Sequence, residues 1–214
     1  MKRALIVLNG RSPGRRLLKS LTQGADLIAA ADGGAQALLD AGIGFHAIVG
    51  DIDSFDPKKV AKKKVEIVQE QGQEDTDFEK TLRWILRTSD ARDIIFTAGM
   101  SDEFDHVLTH LSIASKYARR AKIRQVEDSA VIYFVTERLE LDLKLGTKIS
   151  LVALGSAEGV KTHGLKWPLL GEDLQMGLRD GLHNEVSQRH VTIDVRDGCL
   201  AVILNKTKGE AFRW

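Results

Sequence analysis

Apolar residues in the first part of the chain come in short runs separated by longer stretches of helical period. The runs at 4–8, 27–31, 47–50, 65–69, 93–97 and 130–135 have the length of buried strands. Phe78, Leu82, Ile85 and Leu86 fall at i, i+4, i+7 and i+8, which predicts a helix starting near Thr76. Val107, Leu108, Leu111, Ala114 and Ser115 repeat that spacing and predict a second helix from near Asp105. Strands that alternate with helices need crossover connections. This half therefore predicts a mostly parallel sheet covered on both faces.

The period changes near residue 138. Leu139, Leu141, Leu143 and Leu145 alternate with Glu140, Asp142 and Lys144, and Ile149, Leu151 and Ala153 continue the period of two. Val191, Ile193 and Val195 alternate up to Asp197-Gly198, beyond which 199–204 is apolar again. An Asp-Gly pair between two such runs predicts a hairpin, because its turn positions need positive φ. The expected fold class is α/β: a mostly parallel α/β/α domain over 1–137, followed by a small antiparallel β-sandwich domain over 138–214.

Composition narrows the function classes. A chain of 214 residues with 43% hydrophobic positions has material for one large or two small cores. Its 31 basic and 30 acidic residues leave a formal charge of +1, which argues against a nucleic-acid partner. The lone Cys199 excludes an internal disulfide and suits a reducing, cytoplasmic setting. The apolar run after Met1-Lys2-Arg3 is too short for a signal-peptide core. No run approaches the roughly 18 residues of a membrane span, so no membrane partner is expected. The lysine-rich stretch 58–64 is read as a solvated helix face.

The acidic residues of the first half gather where predicted strands end. Asp32-Gly33-Gly34 follows the second run, Asp51-Ile52-Asp53-Ser54 the third, and Gln73-Glu74-Asp75-Thr76-Asp77 the fourth. Asp102-Glu103-Phe104-Asp105-His106 follows the fifth. Singly, such residues serve as helix caps, and Thr76 with Glu79 fits a capping box. Together they occupy the carboxyl ends of the strands, where open α/β sheets bind ligands. Converging carboxylates repel unless a cation intervenes, and hard oxygen ligands suit Mg²⁺ carrying a phosphorylated substrate. Neither G-x-x-x-x-G-K-[S/T] nor a G-x-G-x-x-G after the first strand is present, so the common phosphate cradles are excluded.

These motifs resemble the thiamine pyrophosphokinase family. Ala31-Asp32-Gly33-Gly34-Ala35 is similar to its A-D-G-G-A, and Gly50-Asp51-Ile52-Asp53-Ser54 to its G-D-x-D-S. The segment from Gln73 through Asp77 to Lys80 resembles Q-D-x-T-D-x-x-K, with Glu74 for the first Asp, and Asp105-His106 with Leu108 resembles D-H-x-L. Thr162-His163-Gly164-Leu165-Lys166-Trp167-Pro168-Leu169 resembles T-x-G-L-K-W/Y-P-L, and Asn184-Glu185 a later S-N-E. The resemblance implies transfer of the pyrophosphoryl group of ATP to the thiamine hydroxyl, with release of AMP. It implies a homodimer with active sites at the subunit interface. By position, Asp51, Asp53, Asp77 and Gln73 would hold Mg²⁺, with Lys80 beside them in the catalytic set. Asp32, Gly33, Gly34, Ser54, Gln73 and Thr76 would line the ATP site. Asp105, His106, Thr162, Leu165, Trp167 and Asn184 would belong to the substrate side, where Trp167 offers a face to the cationic thiamine.

Two departures bear on function. Asp102-Glu103 stands where the family writes Gly-Arg, and His183 where it writes the Ser of S-N-E. An Arg there would neutralise phosphate charge, whereas a Glu repels it unless it faces away or binds a cation. Lys80 or Arg11 is a candidate for the missing charge. The alternatives are a pyrophosphokinase for another acceptor, such as a hydroxymethylpterin, or a degenerate paralogue that binds nucleotide or thiamine without turnover.

Overall fold

The computed structural model describes residues 1–72 and 74–206, and it divides into two compact units. The first comprises Met1–Ile113 with Gln125–Asp128. Its sheet contains β1 (Lys2–Val7), β2 (Leu27–Ala31), β3 (Ala47–Gly50), β4 (Glu66–Gln69) and β5 (Ala91–Thr97), in the order β4-β3-β2-β1-β5 with every neighbouring pair parallel. Parallel strands buried on both faces need continuous apolar runs, which is why these segments read as blocks and not as alternations. The helices α1 (Arg15–Gln23), α2 (Gly34–Asp40) and α3 (Asp77–Thr88) connect them. The helix α4 (Phe104–Tyr117) follows β5.

The packing follows from the periodicity. Phe78, Leu82 and Ile85 on α3 are fully buried, as are Leu5, Ile6, Ile48, Ile94 and Phe96 on the strands. Each such side chain contributes about 1.5–3 kcal/mol of transfer free energy. Phe78 and Phe96 meet with ring centres 4.6 Å apart. The start of α3 is capped as the sequence predicts, with Thr76 Oγ1 accepting the Glu79 N–H at 3.3 Å. On α4 the buried stripe is Ile113, Ala114 and Tyr117, while Leu108 keeps 65% of its surface exposed. Of the expected stripe, Ala114 is buried and Val107, Leu111 and Ser115 are half-buried, so Leu108 is the one member that the structure leaves exposed.

The second unit contains residues 114–124 and those from Ser129 onward. After β6 (Lys122–Val126) come β7 (Ala130–Val135), β8 (Arg138–Asp142), β9 (Lys148–His163), β10 (Leu170–Gln175), β11 (Gly181–Glu185), β12 (His190–Asp194) and β13 (Asp197–Asn205). All pairings among β7–β13 are antiparallel. The long β9 is shared: β11 pairs with its first half, β10 and β12 with its second, and β13 runs along it from Ile149 to Glu158. Leu151, Val160, Leu174, Val191, Ile193, Leu200 and Val202 from these strands form one core, which gives the unit its sandwich character.

The hairpin expected at Asp197-Gly198 is corrected. β12 and β13 each pair with β9, which lies between them in the sheet order. Gly198 has φ 88°, and a Cβ there would lie 2.1 Å from the Ser156 carbonyl, so this glycine serves the close approach to β9 and not a two-residue turn. No helix among the described residues is long and apolar enough to cross a membrane.

Candidate active site

The glycines after β2 seat α2 directly on β1. A Cβ at Gly34 would stand 2.1 Å from the Val7 carbonyl oxygen, and one at Gly33 2.4 Å from Asn9 Cγ. Both glycines are buried, and this close packing sets where Asp32 projects. Asp32 itself has φ 38°, unusual for a residue with a side chain. Its Oδ2 accepts the Ser54 N–H at 2.9 Å, which ties the β2 end to the loop after β3. In that loop Ile52 has φ 63°, a costly conformation for a β-branched residue. Ser54 Oγ donates to Asp53 Oδ1 at 2.9 Å.

The result is a carboxylate cluster. Asp32, Asp51 and Asp53 each offer an oxygen, and the three oxygens lie within 4.8 Å of one another. Asp32 Oδ1 and Asp51 Oδ1 are buried and have no hydrogen-bond partner. Asp77 closes the group from the start of α3: a Cβ on Gly50 would meet Asp77 Cγ at 2.9 Å and Asp32 Cβ at 3.0 Å. Burial pushes the Asp32 carboxyl above its usual range, the hydrogen bonds from Ser54 oppose this, and the charges of Asp77 and Asp53 add to it. Partnerless buried oxygens on clustered acids fit a hard divalent cation.

Lys80, only 3% exposed, holds Asp77 Oδ1 at 3.0 Å from within α3. Its charge is thus committed to the carboxylate cluster. Gln73 lies outside the described residues. Beyond β5, Glu103 faces His106 at 3.4 Å, and Asp105 Oδ1 accepts the His106 N–H at 2.9 Å. Arg11, on the loop after β1, reaches Asp102 Oδ1 at 2.7 Å. Each acid at the departure from the family motif therefore has a basic neighbour.

In the second unit, the substrate-side residues cooperate around Trp167. Asn184 is buried, and its side-chain amide makes three hydrogen bonds to the backbone it faces. Nδ2 donates to the Trp167 carbonyl at 2.6 Å, and Oδ1 accepts the Trp167 N–H at 3.2 Å and the Glu185 N–H at 2.8 Å. Thr162 Oγ1 accepts the Leu169 N–H at 2.8 Å, and Leu165 is buried in the core. These three residues brace the segment that presents Trp167, which is 55% exposed. Trp167 lines a cavity of about 280 Å³ with Leu151, Pro168, Leu182 and Asn184. Lys166 Nζ already stands 4.9 Å from the Trp167 ring centre, so the ring sits in cation contact.

Sequence patterns did not mark the loops beyond β1 and β5. Between β1 and β5 the strand order reverses, the position where open sheets bind ligands. There Gly10 N–H donates to the Ala98 carbonyl at 3.0 Å and Arg11 N–H to the Met100 carbonyl at 2.6 Å. Strand order carries no local sequence signal, so Asn9, Gly10 and Gly99 did not stand out.

An open parallel sheet with acids gathered beyond its strand ends, joined to an antiparallel β unit that presents an aromatic ring, defines a two-domain α/β protein of the strand-end ligand-site class. Within that class, residues 18–126 match the family model for the thiamin pyrophosphokinase catalytic domain, and residues 136–200 match the thiamin pyrophosphokinase vitamin B1 binding domain. The chain belongs to the thiamin pyrophosphokinase family. It is 26% identical over 157 residues to thiamin pyrophosphokinase 1 of Caenorhabditis elegans, covering 68% of this chain but 64% of that protein. It is 26% identical over 237 positions to thiamine pyrophosphokinase 2 of Arabidopsis thaliana, covering 96% of this chain and 87% of the relative. The crystal structure of thiamin pyrophosphokinase from Geobacillus thermodenitrificans superposes with a TM-score of 0.81 at 22% identity, over 97% of this chain and 99% of that one. The Bacillus subtilis structure gives 0.80 at 23%, over 97% and 100%. At these identities the structures establish a common fold.

Proposed function

We propose that the protein transfers the pyrophosphoryl group of ATP to the hydroxyl of thiamine, giving thiamine diphosphate and AMP. The observation that carries this reading is the cluster of Asp32, Asp51 and Asp53 with its partnerless buried oxygens, in a chain that matches both family domains in order. In the reaction the hydroxyl oxygen forms a bond to the β-phosphorus and the bridge to the α-phosphorus breaks. AMP leaves with the bridging electron pair, and the hydroxyl proton is released.

Asp51, Asp53 and Asp77, with Asp32, would hold Mg²⁺. When bound, Mg²⁺ supplies neutralisation of phosphate charge. The chain's own contribution is positioning: Ser54 orients Asp32 and Asp53, Lys80 orients Asp77, and Thr76 fixes the start of α3. On the acceptor side, Trp167 would stack on the cationic ligand, a contact worth about 0.5–2 kcal/mol. Thr162, Leu165 and Asn184 hold that ring in place. Asp105 and His106 would serve the substrate from the first turn of α4. We place the working form as a homodimer in the cytoplasm.

Incubating folded protein with ATP, Mg²⁺ and a panel of hydroxylated acceptors tests the proposal. Thiamine should give the fastest AMP release, and a hydroxymethylpterin should give only background. Tight nucleotide or thiamine binding with no AMP above background would replace the enzyme reading with that of a non-turning-over paralogue.

A further inference from the structure

The Gly99 peptide, in the turn after β5, is gripped on both sides by titratable groups outside the carboxylate cluster. Its N–H donates to Glu127 Oε1 at 2.8 Å. Its carbonyl oxygen lies 3.0 Å from His110 Nδ1, and because a carbonyl only accepts, Nδ1 carries the proton. Gln125 Nε2 donates to the same Glu127 oxygen at 2.9 Å, and both side chains are buried. The fit leaves no space: a Cβ on Gly99 would lie 2.7 Å from Gln125 Nε2.

This turn is strained, since Ala98 has φ 56°, and such a conformation persists where its surroundings over-determine it. The turn also holds the rim at the strand-order reversal. The Ala98 and Met100 carbonyls accept the N–H groups of Gly10 and Arg11. Arg11 then extends its guanidinium to Asp102 on the same β5–α4 connection. Gly99 is therefore the fixed point from which Gly10, Arg11 and Met100 take their places.

We infer that Glu127 and His110 are positioning residues for the nucleotide: by clamping the Gly99 peptide they fix the rim formed by Gly10, Arg11 and Met100, against which ATP is bound. The inference rests on the ATP reading given above. Burial pushes the Glu127 carboxyl up and the His110 imidazole down, against the hydrogen bonds that each makes. Perturbed groups of this kind collect beside functional sites.

The test uses Glu127→Ala, Glu127→Gln, His110→Phe and His110→Asn in the full chain. Amide exchange at residues 98–103 and the KM values for Mg-ATP and thiamine are measured together. Glu127→Ala and His110→Phe should speed exchange at Gly99 and raise the KM for ATP on the order of ten-fold, with the KM for thiamine little changed. Glu127→Gln and His110→Asn, which keep an acceptor or donor in place, should recover most of both effects. Should Glu127→Ala fail to fold, the half-buried His110 and its pair of variants carry the comparison. Faster exchange with unchanged ATP KM would overturn the positioning role, and unchanged exchange would overturn the clamp itself. A wild-type protein that shows the protected turn but binds no ATP would instead remove the ATP reading, and the inference with it.

Discussion

Asp32 Oδ2 accepts the Ser54 N–H at 2.9 Å while Asp32 Oδ1, also buried, has no partner. One carboxylate thus ties the ends of β2 and β3 together and leaves an oxygen facing Asp51 and Asp53.

That arrangement makes stability depend on pH in a definite sense. Burial raises the Asp32 carboxyl above its ordinary 3.8, so the folded protein binds the proton more tightly than the unfolded chain. Stability from this group is full below that ordinary value and is lost as pH rises through the raised one. The metal-free protein should lose part of its stability over that window. Mg²⁺ should restore it at neutral pH, by about 2.7 kcal/mol at a hundred-fold excess over its Kd. Thermal melts across pH, with Mg²⁺ and with a chelator, check this. A Mg²⁺ effect equal at acid and neutral pH would contradict it.

Asp53→Asn and Asp77→Asn should both remove Mg²⁺-dependent turnover, on the order of a hundred-fold or more. Their stabilities should differ. Asp53 is exposed, whereas Asp77 neutralises the buried Lys80. Asp77→Asn should therefore cost about 1–3 kcal/mol, while Asp53→Asn should be nearly neutral without metal. Urea unfolding beside the turnover assay separates the two effects.

Trp167→Ala should raise the KM for thiamine about three- to thirty-fold, following the cation–π contact, and leave the KM for ATP unchanged. Asn184→Ala should reach the same KM by another route, because it frees the Trp167 backbone. Unlike Trp167→Ala, it should also lower the melting temperature. Steady-state kinetics with each substrate varied in turn, together with melts, distinguishes contact from support.

Glu103→Arg should strengthen ATP binding several-fold. Arg11 is paired with Asp102, and Glu103 lies beside His106, so the connection offers no unpaired guanidinium to a phosphate. A guanidinium in place of Glu103 would add it and would leave Arg11 with Asp102. Calorimetric titration with ATP and Mg²⁺ reads the change, and weaker binding would mean that Glu103 itself serves the site.

Much of this was legible in local pattern. The runs 27–31, 47–50 and 130–135 became β2, β3 and β7 with the same bounds, because buried strands declare themselves by continuous apolar residues. Thr76 and Glu79 marked the start of α3 because a cap is a local hydrogen bond. Long-range pairing left no such mark. Asp197-Gly198 looks like a turn in isolation and proves to be the seam where β13 crosses β9. The sequence marks Asn184 for the substrate side, but nothing local to it predicts that its amide also braces the Trp167 backbone across 17 residues. Glu127 and Gln125 lie far along the chain from Gly99, so nothing near Gly99 announced the buried clamp.

The central claim is transfer of a pyrophosphoryl group to thiamine at the site that Asp32, Asp51 and Asp53 define. Phosphorus NMR of a reaction with ATP, Mg²⁺ and thiamine tests it most directly. The account predicts AMP and thiamine diphosphate in equal amounts, both lost in Asp53→Asn. Formation of ADP with thiamine monophosphate, or no AMP from folded wild-type protein, would contradict it.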